Sequence, residues 1–195
     1  MYNDIGGVCC QQGKHEQALE FYQAALNMKK KVLGEIHPDV AMSLFNMGQT
    51  LCFQNKLEEA LPYQRQAVEI YKKCLDPRHP DIADALNSLG ETLYQRQQFE
   101  ESLECFKQIL EIQQKGRAGS QMVAITLDKL GNISFKQERR EEALKYHRDA
   151  LRIWKKFRPH HPNVALCLNN IAAIQGENGH ANSGGYKSYM ELKDL

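Results

Sequence analysis

The chain shows no surplus of charge of either sign, no long apolar run and no paired-cysteine motif. Lysine and arginine number 25 against 24 acids, a net charge of +1. That balance argues against a dedicated binder of nucleic acid or another polyanion. No stretch approaches the roughly 18 consecutive apolar residues that a membrane span requires, and the opening MYNDIGGVCC has no basic-then-apolar signal pattern. The six cysteines, Cys9, Cys10, Cys52, Cys74, Cys105 and Cys167, form no CxxC pair. Most fall in helical patterns, where they read as small apolar side chains, so free thiols in a reducing, cytoplasmic setting are expected. A nucleophile elbow, a glycine-rich phosphate loop and a zinc signature are missing too, and neither catalysis nor a cofactor is expected. The rest of the composition, 42% hydrophobic and 25% charged over 195 residues, is too apolar for disorder and sufficient for a core in one or two domains.

What the sequence has is internal repetition. Three segments begin alike, His37-Pro38-Asp39-Val40-Ala41, His79-Pro80-Asp81-Ile82-Ala83 and His161-Pro162-Asn163-Val164-Ala165. A fourth, Ser120-Gln121-Met122-Val123-Ala124, keeps the register without His-Pro, and the chain starts inside a fifth copy at Asn3-Asp4-Ile5-Gly6. A small residue follows in each, Gly6, Gly48, Gly90, Gly131 and Ala172, at spacings of 42, 42, 41 and 41. Twelve residues beyond these come Ala18, Ala60, Ser102, Ala143 and Gly184. A period of this length marks a repeat architecture.

Each copy reads as two helices. In the second, Pro38 suits the first helical position and Asp39 the positive end of the helix dipole. Ala41, Leu44, Met47, Gly48 and Leu51 then recur at helical spacing. Gln54-Asn55-Lys56 breaks the pattern, as Gly13 does in the first copy, and a second amphipathic run follows through Leu57, Ala60, Leu61, Ala67, Val68 and Tyr71. Leu75-Asp76-Pro77-Arg78 ends it, and Pro62, near the helix start, predicts a local adjustment without a break. Gly or Ala at positions 48 and 60 lets the two backbones approach closely. One hairpin cannot cover its own apolar face, so neighbours must stack. The expected fold is all-α, a right-handed α-solenoid of helix-turn-helix repeats with a concave groove. Its repeats span 1–36 (first helix truncated), 37–78, 79–119 and 120–160, followed by a first helix at 161–176 and a degenerate, poorly ordered tail at 177–195.

The lines His79-Pro80-Asp81-Ile82-Ala83-Asp84-Ala85-Leu86-Asn87-Ser88-Leu89-Gly90 and Leu57-Glu58-Glu59-Ala60-Leu61-Pro62-Tyr63, with the Leu33-Gly34 linker before Glu35-Ile36-His37-Pro38, resemble tetratricopeptide repeats. They are similar to the long variety, about 42 residues each, of kinesin light chains and nephrocystin-like proteins, over roughly residues 1–175. The resemblance implies an interaction scaffold or adaptor that binds other proteins through peptide segments. The alternative it implies is a kinesin-light-chain-like cargo adaptor of a microtubule motor, here as a fragment. The uncapped start within a helix, and Gly176, Gly179, Gly184 and Gly185 near the end, also suggest a piece of a larger chain.

Two features imitate chemistry. His37, His79 and His161 invite a metal, but equivalent points of separate repeats lie too far apart to share an ion with ligands at about 2.1 Å; they read as helix-start residues. Glu58-Glu59, Glu100-Glu101 and Glu141-Glu142 look like paired carboxylates, but each pair falls in the first turn of a second helix, where acids suit the dipole. Charge is uneven along the chain: residues 81–111 carry a surplus of acids, and residues 136–158 a surplus of bases that reads either as a solvated face or as a guide for an acidic partner.

The candidate groove lies on the first helices, opposite the core stripe. It comprises Phe45, Asn46, Gln49 and Phe53 in the second copy, and Asn87, Ser88, Glu91 and Gln95 in the third. Asp128, Lys129, Asn132 and Lys136 belong to the fourth, and Asn169 and Asn170 to the fifth. Asparagine costs helix propensity, so its recurrence, Asn3 included, points either to amides that hold a peptide backbone or to amides that link repeats. The resemblance implies the former. Phe45 and Phe53 suit an apolar anchor. Glu91 and Asp128 stand where a clamp for a terminal carboxylate would need cations.

Overall fold

The computed structural model describes residues 1–115 and 120–176; the tail at 177–195, with Gly179, Gly184 and Gly185, lies outside the described residues. Among these residues are nine α-helices and no strand: α1 (Tyr2–Gln11), α2 (His15–Leu33), α3 (Pro38–Phe53), α4 (Leu57–Cys74), α5 (Pro80–Gln95), α6 (Phe99–Lys115), α7 (Ser120–Lys136), α8 (Arg140–Phe157) and α9 (Pro162–Gly176). They divide into two compact units, Met1–Ile112 and a second that begins at Gln113. Within the first, each helix from α1 to α4 packs on its successor, α6 meets α5 at Gly90, and the first helices of neighbouring repeats, α1 with α3 and α3 with α5, also touch. Within the second, α8 packs on both α7 and α9.

Local devices that recur from repeat to repeat start three of the first helices and stop four of them. The His-Pro histidines are N-caps: Nδ1 of His37, His79 and His161 accepts the backbone N–H of Asp39 (3.1 Å), Asp81 (3.2 Å) and Asn163 (3.2 Å). Each thereby satisfies one of the orphan amides of its helix's first turn, while proline takes the position where no amide is needed. Inside each hairpin, seven residues past the small residue, the chain turns through the left-handed region: Gly13 (φ 74°), Asn55 (59°), Gln97 (60°) and Glu138 (61°). The next amide closes the turn by donating to a carbonyl five residues back, from Lys14 to Cys9, Lys56 to Leu51, Gln98 to Leu93 and Arg139 to Ser134, at 2.9–3.0 Å. This is a helix C-cap of Schellman character. Only the first repeat uses glycine for it. Helix α4 runs unbroken past the exposed Pro62.

The small residues work as the spacing predicts, together with a third position. Ala18, Ala60, Ser102 and Ala143 are fully buried, and the Ser102 hydroxyl donates to the Gly90 carbonyl at 2.8 Å. Over each glycine of the first helix sits a large side chain from sixteen residues later: Tyr22 over Gly6, Gln64 over Gly48, Phe106 over Gly90 and His147 over Gly131. A Cβ on any of these glycines would lie 2.6–2.9 Å from that side chain, well inside van der Waals contact, so the glycine is a socket for its partner. On the outer surface of the first unit, Arg65 pairs with Glu101 at 2.6 Å, Lys72 donates to Gln108 at 2.6 Å, and Arg96 pairs with Glu58. The acids of the second-helix first turns therefore serve both the dipole and links between repeats.

Candidate peptide-binding cleft

Helices α3 and α5 are the first helices of successive repeats, and their outward faces diverge around a cleft of about 480 Å³ within the first unit. Phe45, Gln49, Cys52 and Phe53 line one wall, and Asp84, Asn87, Ser88, Glu91, Thr92 and Gln95 the other. Seven of the fourteen residues assigned to the groove from sequence thus meet here: Phe45, Gln49, Phe53, Asn87, Ser88, Glu91 and Gln95. Asn46 lines an adjoining pocket of about 210 Å³, with Met42, Phe45, Tyr71, Asp81 and Asp84. Phe45 and Asp84 border both hollows. Phe53, 68% exposed, lies at the surface with its ring stacked on His15 at 6.0 Å.

The floor is fixed from below. Gln64, 1% exposed, directs its amide nitrogen at the next repeat, with Nε2 2.9 Å from Thr92 Oγ1, 3.0 Å from Ser88 Oγ and 3.4 Å from Cys52 Sγ. The Thr92 hydroxyl in turn donates to the Ser88 carbonyl at 3.0 Å. Gln64 Oε1 has no hydrogen-bond partner among the described residues. The electrostatics are one-sided. Burial, followed by the charge of Asp81, raises the Asp84 carboxyl above the usual range. The Tyr71 phenol is pushed up to about 12 by burial and then by Asp81, Asp39 and Asp84.

The other six assigned residues sit in the second unit, and one departs from the expected exposure. Asp128 is only 7% exposed. His147 Nδ1 lies 3.1 Å from its Oδ1, the Trp154 indole N–H donates to Oδ2 at 3.4 Å, and Cys167 Sγ donates to Oδ1 at 3.2 Å. The Trp154 ring is itself stacked on His161 at 4.5 Å and 7°. Asp128 therefore organises a buried polar cluster, and burial followed by its charge raises the Cys167 thiol far above its usual value. Asn132, Lys136 and Asn169 are exposed, and Lys129 and Asn170 half-buried. Asn170 Nδ2 lies 3.4 Å from Asn132 Oδ1, an amide contact between two repeats, and in the first unit Asn3 Oδ1 accepts from Ser43 at 3.1 Å. Two of the assigned asparagines, and Asn3 with them, thus carry repeat-to-repeat contacts. Sequence reasoning missed Cys52, Asp84 and Thr92 in the cleft, and Asp81 in the adjoining pocket. Asp84 lies three residues before Asn87, so the stripe extended one turn toward the helix start would have found it.

The sequence matches the tetratricopeptide repeat family over residues 1–73, 54–115 and 122–182. The chain belongs to that family. Solved structures are similar along nearly its whole length. A Podosopora anserina protein assigned as a kinesin light chain, with nearly identical TPR-like repeats, has a TM-score of 0.80 at 20% identity, covering 97% of this chain and 90% of its own. RapI in its apo form has a TM-score of 0.79 at 16% identity over 99% of this chain and 53% of its own. BtubC from P. vanneervenii has a TM-score of 0.75 at 17% identity, covering 97% and 77%. At these identities the likeness is one of fold, an all-α array in which, within each unit, helices pack on their neighbours in chain order. No curated protein matches the sequence significantly. No described helix of the array is long and apolar enough to cross a membrane, and all six cysteines are free thiols.

Proposed function

We propose that this tetratricopeptide protein is a non-enzymatic scaffold or adaptor that holds an extended segment of a partner protein in the cleft between α3 and α5. The observation that carries the reading is the convergence of two phenyl rings, Phe45 and Phe53, with the amides of Gln49, Asn87 and Gln95 around one cleft of about 480 Å³. Amides offer donor and acceptor together, which suits a peptide backbone, while aromatic anchors supply most of the binding energy in such interfaces. The groups that imitate chemistry are otherwise engaged: His37, His79 and His161 cap helices through Nδ1, and the paired glutamates sit in helix first turns. Six free cysteines are consistent with a reducing, cytoplasmic setting.

A peptide-array screen of the purified chain tests the reading. Binding should fall at least about tenfold in Phe45→Ala and in Asn46→Ala/Asn87→Ala, the scale of losing one anchor or two well-placed amides. Equal binding by wild type and these variants would remove the cleft as the site. The kinesin-light-chain-like cargo adaptor is the second reading, favoured by repeats that are 42 and 41 residues long; pull-down of a motor heavy chain by the full array would distinguish it.

A further inference from the structure

We propose that α8 carries a second interaction surface, a stripe of four cations that docks an acidic helical segment of a partner protein. The stripe consists of Lys145, Arg148, Arg152 and Lys156, all exposed and spaced i, i+3, i+7 and i+11, so they share one helix face. That face lies opposite the buried one of Ala143, His147, Ala150, Leu151 and Trp154. Its charges are largely uncommitted. Among the described residues, Lys145 and Arg148 make no ion pair or side-chain hydrogen bond, and Lys156 meets only the Phe157 ring, 5.4 Å from Nζ to the ring centre. Arg152 touches Asp149 at 3.1 Å, yet its side chain stays 80% exposed.

The other second helices show this stripe to be a departure from the repeat. At the same register α4 has Pro62, Arg65, Glu69 and Lys73, and α6 has Glu104, Lys107, Glu111 and Lys115. Acid and base are mixed in both, and the cations are held: Arg65 by Glu101 at 2.6 Å, Lys73 by Glu69 at 2.5 Å, and Lys107 and Lys115 are engaged as well. In α2 the stripe has one cation, Lys31, and one acid, Glu20. Four like charges in line repel one another at i, i+4 and bring the fold no compensating pair. A partner bearing carboxylates would relieve that repulsion along the whole line.

Geometry narrows the occupant. The stripe is about 16 Å long, and carboxylates at the same spacing on a second helix meet each cation, because both helices rise equally per residue. A single exposed ion pair contributes little, so the match has to hold at several positions together. Phe157, 57% exposed beside Lys156, adds an apolar contact at the end of the line. Nucleic acid suits the surface less well. Its backbone carries charge at every step, whereas Glu141 stands one turn before Lys145 on the same face, Asp149 adjoins Arg152, and the whole chain carries only +1.

The test uses the intact chain and fluorescein-labelled, alanine-rich helical peptides in anisotropy titrations at low salt. One peptide carries glutamates at i, i+3, i+7 and i+11, a second has the same four glutamates spread around the helix, and a third has glutamine at the positions of the first. The striped acidic peptide should bind at least about tenfold tighter than the other two and weaken as salt rises. Arg148→Gln/Arg152→Gln should cut that binding about tenfold with unchanged circular dichroism, since both side chains are exposed. Arg65→Gln/Lys73→Gln, which removes two cations already paired, should leave it unchanged. Equal loss in that second pair, or equal binding of the spread peptide, would reduce the effect to net charge and overturn the inference. Absence of binding would overturn it too, as would loss in Phe45→Ala, which would move the acidic peptide to the α3–α5 cleft. Tighter binding of a single-stranded oligonucleotide or of phosphatidylserine vesicles, lost in Arg148→Gln/Arg152→Gln, would overturn the protein segment as the occupant.

Discussion

Phe45 and Asp128 occupy the same place in their repeats, three residues before the helix glycine, yet one borders an open cleft and the other is sealed inside a polar cluster. The residues sixteen positions after the glycine account for much of the difference. Gln64 is long and flexible, and it reaches forward to Ser88 and Thr92 of the next repeat. His147 is short and rigid, and it turns back to Asp128 in its own repeat. Trp154 and Cys167 then close over the carboxylate, whereas Tyr71, at the register of Trp154, lines the side of an open pocket. Register in a repeat array thus sets which way a side chain faces. Whether that face stays open depends on the size and polarity of the second-helix residues beside it.

The largest test of this comparison removes the sealed carboxylate. Asp128→Ala leaves His147 and the Trp154 N–H without their partner and should cost about 3–5 kcal/mol, as for breaking a buried pair. Denaturant unfolding followed through Trp154, the single tryptophan, reports on that repeat directly. Asn87→Ala, in the same register but exposed, should stay within about 0.5 kcal/mol; similar costs for the two would break the comparison.

A smaller effect separates the two sockets. In Gly131→Ala the new Cβ would lie 2.6 Å from the His147 ring, which Asp128 holds in place. Overpacking should outweigh the propensity gain and cost about 1–3 kcal/mol. Gly48→Ala presses on the flexible Gln64 chain and should cost less by the same measurement. Adding His147→Ala to Gly131→Ala should recover part of the loss.

Alkaline titration sharpens the contrast further. Burial pushes the Cys105 thiol up to about 11 and the Cys167 thiol higher still, the latter helped by Asp128. The folded state therefore keeps these protons after the unfolded chain has lost them, and stability present below about pH 9 should decline as pH rises toward 11. Cys105→Ala should flatten that decline in thermal melts. At pH 8, iodoacetamide should reach the half-buried Cys9, Cys10, Cys52 and Cys74 before Cys105 and Cys167.

The smallest effects belong to the turns. Gln97→Gly and Glu138→Gly relieve left-handed backbone at φ 60° and 61° and should each add roughly 0.5–1 kcal/mol. Asn55→Gly should gain less, because asparagine tolerates that region.

The glycine spacing, the two-helix repeat and the His-Pro helix starts were legible in the sequence, because backbone geometry restricts those positions to few residue types, and helical register brought seven of the assigned residues to one cleft. The partners of the glycines were not. Tyr22, Gln64, Phe106 and His147 share a place and no chemistry, so no identity recurs to mark them. An aspartate on a polar stripe reads as solvated, and only the positions of His147, Trp154 and Cys167 show Asp128 to be buried. The asparagines fall into two settings for a similar reason: Asn132 and Asn170 meet each other across repeats, while Asn87 borders the cleft, and one residue type occurs in both.

The socket over each glycine has a consequence for how such a chain changes over time. One notch in the first helix receives a phenol, a carboxamide, a phenyl ring or an imidazole from the second, so the interior of any repeat can be rewritten at a single position while the spacing between helices stays fixed. A lineage can then exchange an open hollow for a sealed polar cluster one unit at a time, without redrawing the scaffold that carries both.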